Sequence, residues 1–549
     1  MNRRAFIKIA ATFTGSTLVT GIFAQEKENT PSGKRPNIVF ILADDMRLDY
    51  LECMGMNKNV KTPNLNTLAA KGTLFTNGFV TTAACTPSRT SIMTGQYERK
   101  HGITFGSNSA MSENQFSQTY PMLLKQAGYF TGYIGKNHTP AGKSEKGLGY
   151  KSGLMEKEFD YWYGGHGHLG FYPKGKHKIF KNVKPDTQIE IIQKGTDNFF
   201  DQNPEFAKTK NFLKTRPRDK PFCLQINFNV PHGAGTGSMQ MKPTDPALYR
   251  TTYRDQIDHM PQPKTYIAEK DIKTPKVPTH VYNGQYISGY NYVKKPEALR
   301  ERQVRTCQTV TGIDNLVGSV VKELEKQGLA DNTIIMFTSD HGLQHGEHGL
   351  GGKVLLYEES LRVPLIIFDP RLKKSHGRKV KPIALTVDFA PTLLELTGNP
   401  VPKGMQGHSL KPLMQGDNTN WRNDFFCENM FMGQNYPRME AVRSGKWKYI
   451  RYFSKKNDQH HILSLIAPLT GEKPVYEELY NVQDDPSETK NLAGDKNYKE
   501  ILDQYRKRCN ELLKEAKGDN KLPDTHVKEF DKPSFKENVE NIYGVLKLK

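Results

Sequence analysis

Short apolar segments recur along the chain and alternate with segments of helical periodicity. Residues 37–43 form a continuous apolar run, the pattern of a strand that is buried on both faces of a parallel sheet. Further strands are predicted at about 129–134, 221–228, 333–338 and 363–368. Helices are predicted between them at 63–71, 87–95, 119–127, about 297–327 and 387–398. This alternation indicates an α/β fold with a large doubly wound, mostly parallel sheet flanked by helices.

The pattern changes near residue 420. Alternating polar and apolar positions flank a glycine turn within 439–452, residues 477–482 add a further strand, and a helix is predicted over about 496–516. These elements predict a smaller, β-rich α+β subdomain. The predicted organisation is a signal peptide (1–25), a linker (26–35), an α/β domain (36–418), and a C-terminal subdomain with antiparallel sheet, helix and basic tail (419–549).

The N-terminus has the layout of a secretory signal. Residues 1–8 are basic, residues 9–24 are uncharged and mostly apolar or small, and a small-residue cleavage site lies near Ala24. The paired arginines within 2–8 resemble the twin-arginine export motif. We therefore expect a periplasmic or secreted protein. No later stretch approaches the roughly 18 apolar residues that span a bilayer, so no stable membrane insertion is expected after signal removal.

The chain is strongly basic. Its 78 Lys and Arg residues against 58 Asp and Glu give a formal net charge of +20. A balance of this size favours polyanionic partners, such as an acidic glycan. No nucleic-acid motif accompanies the charge, so we expect no nucleic-acid partner. The six cysteines are irregularly spaced without a CxxC pair, which argues against a zinc cage or a dense disulfide framework.

Acidic residues follow two of the predicted strands. Asp44 and Asp45 come directly after the first strand, and Asp340 and His341 follow the strand near 333–338. Ligands of doubly wound sheets bind beyond the carboxyl ends of the strands. Three carboxylates and an imidazole at that edge suit a hard divalent cation that prefers oxygen ligands. Adjacent acids can also cap a helix or form a turn, so this pattern alone leaves both interpretations open.

The most informative segment is Cys85-Thr86-Pro87-Ser88-Arg89, which continues through Thr90-Ser91-Ile92-Met93-Thr94 to Gly95. Pro87 fits the first turn of a helix. The Cys85 side chain would then lie at a helix N-terminus, where free N–H groups favour an anion, and Arg89 would reach the same place one turn later. The segment resembles the Cys-x-Pro-x-Arg motif of the formylglycine-dependent (type I) sulfatases of the alkaline phosphatase-like superfamily, of the polysaccharide-sulfatase type.

The resemblance extends over most of the chain. Segments in the family's order are Gly135–His138, Pro231–His232, Asp340–Gly342, Gly346–Gly349, Lys353, Tyr357–Pro364, Glu478–Asn481, Asp485–Glu488 and Asn491–Leu492. Many members carry Asn where this chain has His341. That departure leaves open whether His341 binds a metal directly or indirectly.

The resemblance implies a cofactor and a modification. It implies one Ca²⁺ per chain, held by Asp44, Asp45, Asp340, His341 and residue 85, with Cys85 converted to formylglycine (3-oxoalanine). It also implies a formylglycine-generating or sulfatase-maturating enzyme as a partner. The residues implied to surround the sulfate are Arg89, Lys136, His138, His232 and Lys353.

An aldehyde at residue 85 accounts for the implied chemistry. Its hydrate has two hydroxyl groups, one of which attacks sulfur, with Asp340 as the base, while the alcohol leaves with a proton from His232 or Lys353. His138 then takes a proton from the second hydroxyl, so that sulfate is expelled and the aldehyde is restored. A serine or cysteine has no second hydroxyl and would stop at the sulfated enzyme.

Four other histidines are weaker candidates for contact with the substrate. His166 and His168 lie in a stretch rich in glycine and histidine, and His345 and His348 lie in the loop after Asp340. For the second pair, substrate contact and plain loop structure are both consistent with the sequence.

Three functions remain open from the sequence. The first is a sulfuric ester hydrolase that acts on a sulfated carbohydrate. The second is a phosphonate monoester or phosphodiester hydrolase, since such relatives can share the motif. The third is a sulfated-glycan binding protein whose Cys85 stays unmodified.

Several features bear on the substrate of the first function. Export, the basic charge and the long segment at 233–296, which is rich in Pro, Gly and Thr, favour a polysaccharide or its oligosaccharides over a small aryl sulfate. Ulvan, carrageenan or another algal polymer, or a host glycosaminoglycan, would fit. The sugar, the sulfated position and exo or endo action stay open.

Overall fold

The computed structural model describes most of the chain. The described residues are 34–105, 109–145, 147–165, 171–174, 204–233, 241, 243, 247–273, 276–278, 281, 290–430, 436–453, 472–519 and 523–527. The predicted signal peptide, most of the predicted linker, His166, His168 and the basic tail after residue 527 lie outside the described residues.

The strands alternate with helices through the first three quarters of the chain. The strands are β1 Asn37–Ala43, β2 Thr73–Phe75, β3 Gly78–Phe79, β4 Ser109–Met111, β5 Phe130–Gly135, β6 Lys143–Ser144, β7 Gly147–Leu148, β8 Tyr161–Gly165, β9 Phe171–Pro173, β10 Phe222–Asn227, β11 Thr333–Ser339, β12 Gln344–His345, β13 Gly351–Gly352, β14 Leu365–Phe368, β15 Arg378–Val380, β16 Ala384–Leu385, β17 Asp424–Asn429, β18 Met439–Ser444, β19 Trp447–Tyr452, β20 Tyr476–Asn481 and β21 Thr525–Val527. The α-helices are α1 Pro63–Lys71, α2 Cys85–Thr94, α3 Glu98–His101, α4 Glu113–Ser117, α5 Tyr120–Gln126, α6 Leu154–Glu158, α7 Pro204–Thr215, α8 Ala247–Arg250, α9 Pro296–Lys326, α10 Glu358–Leu361, α11 Phe389–Leu396, α12 Lys411–Gln415 and α13 Lys499–Lys517.

Nine strands form the main sheet, in the order β15-β2-β14-β11-β1-β10-β5-β8-β9. The central strands β11, β1, β10, β5 and β8 are all parallel. The strand predicted near 363–368 exists as β14, but it runs antiparallel to both of its neighbours. A parallel return usually needs a crossover helix, and only the one-turn α10 lies between β11 and β14. The predicted α/β fold with a mostly parallel sheet is confirmed.

The sheet is covered on both faces, which explains the continuous apolar run of β1. All seven residues of β1 are buried. Ile38 and Phe40 pack into a core with α5 and α11, whereas Val39 and Ile41 pack into a second core with α1 and α9. Full burial of each such side chain contributes about 1.5–3 kcal/mol. The central strands therefore form a rigid platform for whatever follows their carboxyl ends.

The C-terminal elements form a second sheet. Strands β17, β18, β19 and β20 are antiparallel in sequence order. One face, which includes Phe426, packs against α13, and the other, which includes Cys427, shares a core with Phe79 and Tyr357 of the α/β part. The predicted boundary at 418/419 thus falls between two sheets that are joined by a common core.

Two further observations concern the whole described chain. Among the helices that the structure describes, none combines the length and the apolar character that a membrane crossing requires. All six cysteines are unpaired.

Candidate active site

The acidic residues predicted at strand ends meet at the carboxyl edge of the main sheet. Ala43 at the end of β1 is paired with Ser339 at the end of β11, so that Asp44 and Asp340 begin side by side. The backbone N–H of Asp340 donates a hydrogen bond to the carbonyl oxygen of Ala43 (3.1 Å). All four side chains of Asp44, Asp45, Asp340 and His341 are buried.

Lys136 reaches the same place because β5 ends in a glycine. Gly135 has a φ of +95°, and a Cβ there would lie 1.9 Å from the carbonyl oxygen of Asn227, so no larger residue fits. The backbone N–H of Lys136 donates to that same oxygen (2.8 Å). The Lys136 ammonium group then forms a buried ion pair with Asp44 Oδ2.

Cys85 is the first residue of α2 and is fully buried. Its Sγ atom lies 2.8 Å from Lys353 Nζ, 3.3 Å from His341 Nε2 and 3.7 Å from Asp44 Oδ1. An ordinary buried cysteine packs as a small hydrophobic group. Cys223 is such a residue, and burial alone raises the pKa of its thiol. Cys85 instead lies among charged and polar groups.

Arg89 lies one turn after Cys85 and links two carboxylates. Its Nε donates to Asp340 Oδ2 (2.8 Å), and its Nη2 lies 3.4 Å from Asp44 Oδ2. Burial by itself lowers the pKa of Arg89, but Asp340 and Asp44 outweigh burial and raise the pKa above its usual value. Burial likewise raises the pKa of Asp44, yet Lys136, His232 and Arg89 hold that pKa well below its ordinary value.

Asp45 and Lys353 form the next pair. Asp45 has a left-handed backbone (φ 66°), and its Oδ1 accepts a hydrogen bond from Lys353 Nζ at 3.0 Å. Burial raises the pKa of Asp45 although Lys353 opposes it. Burial lowers the pKa of Lys353, but Asp45 and Cys85 hold it well above its usual value. The second oxygen of Asp45 is buried and has no hydrogen-bond partner among the described residues.

His341 faces Cys85 across the end of β11. Its Nδ1 contacts the carbonyl oxygen of Gly342 (2.9 Å), which leaves Nε2 directed at the sulfur. Burial lowers the pKa of His341, but Asp340 outweighs burial and the pKa rises to about 9. Glycine is required at 342, because a Cβ there would lie 2.0 Å from the carbonyl oxygen of Glu359.

His138 packs between aromatic rings, two residues after Lys136, which follows β5. The ring centroid of Phe105 lies 5.5 Å away in an edge contact, and that of Tyr150 lies 5.9 Å away, nearly parallel. Burial, together with the charges of Lys136 and Arg89, holds the pKa of His138 well below its usual value. His138 is therefore an uncharged ring at neutral pH.

The grouping of donor atoms tests whether a cation fits. One atom each of Asp44, Asp45, Cys85 and His232 lie within 4.8 Å of one another, and so do atoms of Asp44, Cys85, Asp340 and His341. Three carboxylates supply the hard oxygen donors that Ca²⁺ prefers. The unpartnered Asp45 oxygen is the kind of buried group that a cation would satisfy. The residues present therefore fit a calcium ion.

Two predicted histidines have partners elsewhere. His345 Nδ1 lies 3.1 Å from the hydroxyl of Tyr50, and His348 Nε2 lies 2.9 Å from the carbonyl oxygen of Ser487. Burial with Arg47 and Arg302 lowers the pKa of His345, and burial with Lys276 lowers that of His348 to about 4. Their role as substrate contacts stays a prediction.

The structure adds residues that the motifs did not single out. The hydroxyl of Tyr133 donates to the backbone oxygen of Lys136 (2.7 Å), and that of Ser88 donates to the backbone oxygen of Asp340. Asn229 is buried just beyond β10, with both side-chain amide atoms lacking a partner among the described residues. Its place directly after a strand is the only sequence signal that would have found it.

Two protein-family models match this chain. Residues 36–399 match the family described as Sulfatase, and residues 346–515 match the family described as N-sulphoglucosamine sulphohydrolase, C-terminal. An N-acetylglucosamine-6-O-sulfatase of Bacteroides thetaiotaomicron is 29% identical over 92% of this chain and 89% of its own length. An ulvan-active sulfatase of Formosa agariphila is 27% identical over 90% of this chain and 82% of its own length.

A solved structure extends the likeness to three dimensions. A protein in complex with its substrate D-glucosamine-2-N,6-O-disulfate superposes with a TM-score of 0.63 at 26% identity. The match covers 89% of this chain and 99% of that chain. Because the Sulfatase match alone spans 36–399 of the 549 residues, the protein belongs to the sulfatase family and is a sulfuric ester hydrolase.

Proposed function

We propose that this protein is an exported, Ca²⁺-dependent sulfatase that removes sulfate from a sulfated polysaccharide or its oligosaccharides. Its nucleophile is formylglycine made from Cys85, and inorganic sulfate is released. The observation that carries the proposal is the position of Cys85, which opens a fully buried helix and contacts Lys353, His341 and Asp44. No packing role requires those contacts.

Calcium would be held by the carboxylates at the ends of β1 and β11. Asp44, Asp45 and Asp340 are the oxygen donors, and His341 and His232 lie close enough to take part. When bound, the ion supplies positive charge that stabilises the sulfate oxygens as negative charge builds on them. The charged partners Lys136, Lys353 and Arg89 hold the three carboxylates in place before any ion arrives.

Formylglycine supplies a nucleophile with a second hydroxyl, whose deprotonation releases the sulfate. Lys353 Nζ lies 2.8 Å from the atom that the modification replaces, so it is placed to hold a proton at the reacting or leaving oxygen. Arg89, fixed by Asp340, presents a second cation beside it. His138 is the candidate base because it is an uncharged buried ring next to Lys136.

The substrate class is proposed from charge and from the relatives. A formal net charge of +20 favours a polyanionic substrate. Two relatives are named as acting on N-acetylglucosamine-6-O-sulfate and on ulvan, and one structural neighbour binds a disulfated glucosamine. Ulvan or another sulfated algal polymer, or an amino-sugar polymer, fits these observations. A substrate panel determines which of these sugars loses its sulfate group.

Two further parts of the proposal concern the export of the chain and the modification of Cys85. The basic and apolar pattern of residues 1–25 supports export, with the paired arginines favouring the twin-arginine route. The Cys-Thr-Pro-Ser-Arg segment at 85–89 would be the recognition site of a formylglycine-generating or sulfatase-maturating enzyme.

A substrate panel tests the proposed function. Protein matured in its native host is offered sulfated glucosamine, ulvan and carrageenan oligosaccharides, a phosphodiester and a phosphonate monoester, with released sulfate or phosphate as the readout. We expect turnover of at least one sulfated saccharide and much slower turnover of the phosphorus esters. Faster hydrolysis of the phosphorus esters would overturn the proposal in favour of a phosphonate monoester or phosphodiester hydrolase.

The mass of the peptide that contains residue 85 provides the second arm. An aldehyde in place of the thiol is expected in protein from the native host. An unmodified thiol in that protein, together with retained binding of sulfated glycan, would show a silent binding protein instead.

A further inference from the structure

A cavity of about 330 Å³ lies apart from the candidate active site and is lined by basic, amide and aromatic side chains. This volume is within the range of small-ligand sites. Among the residues that the structure describes, no aspartate or glutamate lines the cavity. The side chains that line it include Lys381, Trp421, Arg422, Asn423 and Arg443. We call it the Trp421 cavity.

The Trp421 cavity lies on the same edge of the sheet as the active site. Lys379 in β15 is level with Ile41 in β1 through the pairings of β2, β14 and β11. Lys381 is therefore level with Ala43, which precedes the candidate metal ligands. Neighbouring strands lie about 4.8 Å apart, so four strand spacings place Lys381 roughly 19 Å from Ala43 across the sheet.

The walls of the cavity are fixed in place by hydrogen bonds. Trp421 Nε1 donates to the carbonyl oxygen of Ile383 (2.7 Å), and the guanidinium of Arg422 lies 4.9 Å from the centre of the Trp421 ring. Arg422 Nη2 also donates to Asp388 Oδ1 (2.8 Å). Fixed groups lose little conformational entropy when a ligand binds. The cavity is therefore preorganised.

Its charge favours an anion. Arg443 is balanced by Glu358 (3.2 Å) and Arg422 by Asp388, but both carboxylates are buried and neither lines the cavity. Lys381 is exposed and makes no ion pair within the part of the chain that the structure describes. The cavity thus presents the ammonium group of Lys381 and neutral amides, while its two guanidinium groups are held by Asp388 and Glu358. An ammonium group and amides suit sulfate groups and sugar hydroxyls.

We propose that the Trp421 cavity is a second binding site for the sulfated carbohydrate chain. It would hold a sugar unit that lies several sugar units away from the sulfate ester that is hydrolysed. The inference rests on the proposed function, because the same polymer must reach both sites. A chain that lies along the carboxyl edge of the sheet would span the distance between them. Occupying both sites would raise the affinity for long chains over short ones.

A charge reversal in the cavity tests the inference. Lys381→Glu is compared with Lys322→Glu, a matched control on the exposed surface of α9. Both are made in the Cys85→Ala background so that nothing is hydrolysed, and their thermal midpoints are compared with that of the parent. Binding to dextran sulfate, to unsulfated dextran and to single-stranded DNA is measured by affinity electrophoresis at fixed salt.

We expect Lys381→Glu to weaken binding to dextran sulfate about fivefold relative to Lys322→Glu, the effect of reversing one exposed charge near an anion. Retention by unsulfated dextran should be absent for every protein. In the active background, the ratio of kcat/KM on a sulfated polymer to kcat/KM on a sulfated monosaccharide should fall for Lys381→Glu by a similar factor.

Equal binding of dextran sulfate by the two variants would overturn the inference while leaving the proposed function intact. A loss confined to DNA would overturn it in favour of a nucleic-acid site. A loss of dextran sulfate binding in a protein that releases no sulfate from any substrate would support the cavity and overturn the proposed function.

Discussion

At the scale of single residues, the candidate site is organised by charge balance. Three carboxylates, Asp44, Asp45 and Asp340, are matched by three permanent cations, Lys136, Lys353 and Arg89. Because the pKa of His341 is raised to about 9, this ring adds about one positive charge to the buried cluster at neutral pH. A bound divalent cation would make the cluster more positive, which would draw in an anion such as a sulfate ester.

Calcium should stabilise the folded protein through these carboxylates. Adding Ca²⁺ to chelated protein should raise the thermal midpoint, because an ion that binds only the native state stabilises it by about 2.7 kcal/mol at one hundred times its Kd. Asp45→Asn should abolish most of the rise, since the unpartnered oxygen of Asp45 is lost as an anionic ligand. Differential scanning fluorimetry measures both.

Asp49→Asn is the matched control, because Asp49 lies near the same strand but pairs with Arg47. It should respond to Ca²⁺ as the parent does. If the thermal midpoint of thoroughly chelated parent protein does not change when Ca²⁺ is added, the result contradicts the proposed calcium site.

Lys353 should be essential for turnover. Lys353→Met removes the ammonium group that lies beside both residue 85 and Asp45, so kcat for sulfate release should fall about 10²–10⁴-fold, the usual contribution of a positioned proton donor. Steady-state kinetics on a sulfated monosaccharide measures it. Lys322→Met serves as the surface control, and a loss of less than fivefold in Lys353→Met would argue against the assigned role.

At the scale of elements, a buried ion cluster joins the C-terminal sheet to the segment that follows Lys353. Lys448 of β19 is fully buried and lies 2.9 Å from Glu358 of α10 and 2.8 Å from Glu488. Arg443 of β18 reaches Glu358 as well (3.2 Å). Through these ion pairs the C-terminal subdomain stabilises the segment that follows Lys353, a residue of the candidate site.

Removing the centre of that cluster should destabilise the fold. Lys448→Met leaves the buried carboxylate of Glu488 without its cation and removes one of the cations that contact Glu358, and such breaks cost about 3–5 kcal/mol. Lys446→Met, on the exposed turn two residues earlier, should change the free energy of unfolding by less than about 0.5 kcal/mol. Urea unfolding of both variants measures the difference, and equal stabilities would contradict a structural role for the cluster.

Most long elements could be predicted from periodicity, and the short ones could not. The pattern predicted a helix over 63–71, where the structure has α1 at Pro63–Lys71, and a strand over 37–43, where it has β1. Strands β2 and β15 have only three residues each, too few for a periodicity to appear. The antiparallel direction of β14 depends on the absence of a long crossover helix, which a strand pattern alone does not report.

At the scale of the whole molecule, the site depends on which strand ends meet. The sequence placed Asp44, Lys136 and Asp340 after strands, and because those strands are central and parallel their ends converge. His345 and His348 are close to Asp340 along the chain, yet their side chains bind Tyr50 and Ser487. Proximity in sequence within a loop does not determine the direction in which a side chain points, so the contacts of His345 and His348 could not be predicted.

Acid should weaken the fold partly through His348. Its pKa is lowered to about 4 by burial, so the unfolded chain takes up a proton near pH 6.5 while the folded chain does not. The contribution of His348 to the free energy of unfolding is therefore fully present above about pH 6.5, and it is lost as the pH drops toward 4. His348→Gln should lose less free energy of unfolding than the parent between about pH 7 and about pH 4.5. Urea titrations at both pH values measure it, and identical pH dependence would contradict the assignment.

The most direct test of the central claim is sulfate release by Cys85→Ala and by the parent, both purified from the native host and both supplied with Ca²⁺. The account predicts that the variant loses at least about 10³-fold in kcat/KM, because without the modified residue no covalent intermediate forms. Its folding can be checked from an unchanged thermal midpoint. A variant that releases sulfate within a few-fold of the parent would contradict the account.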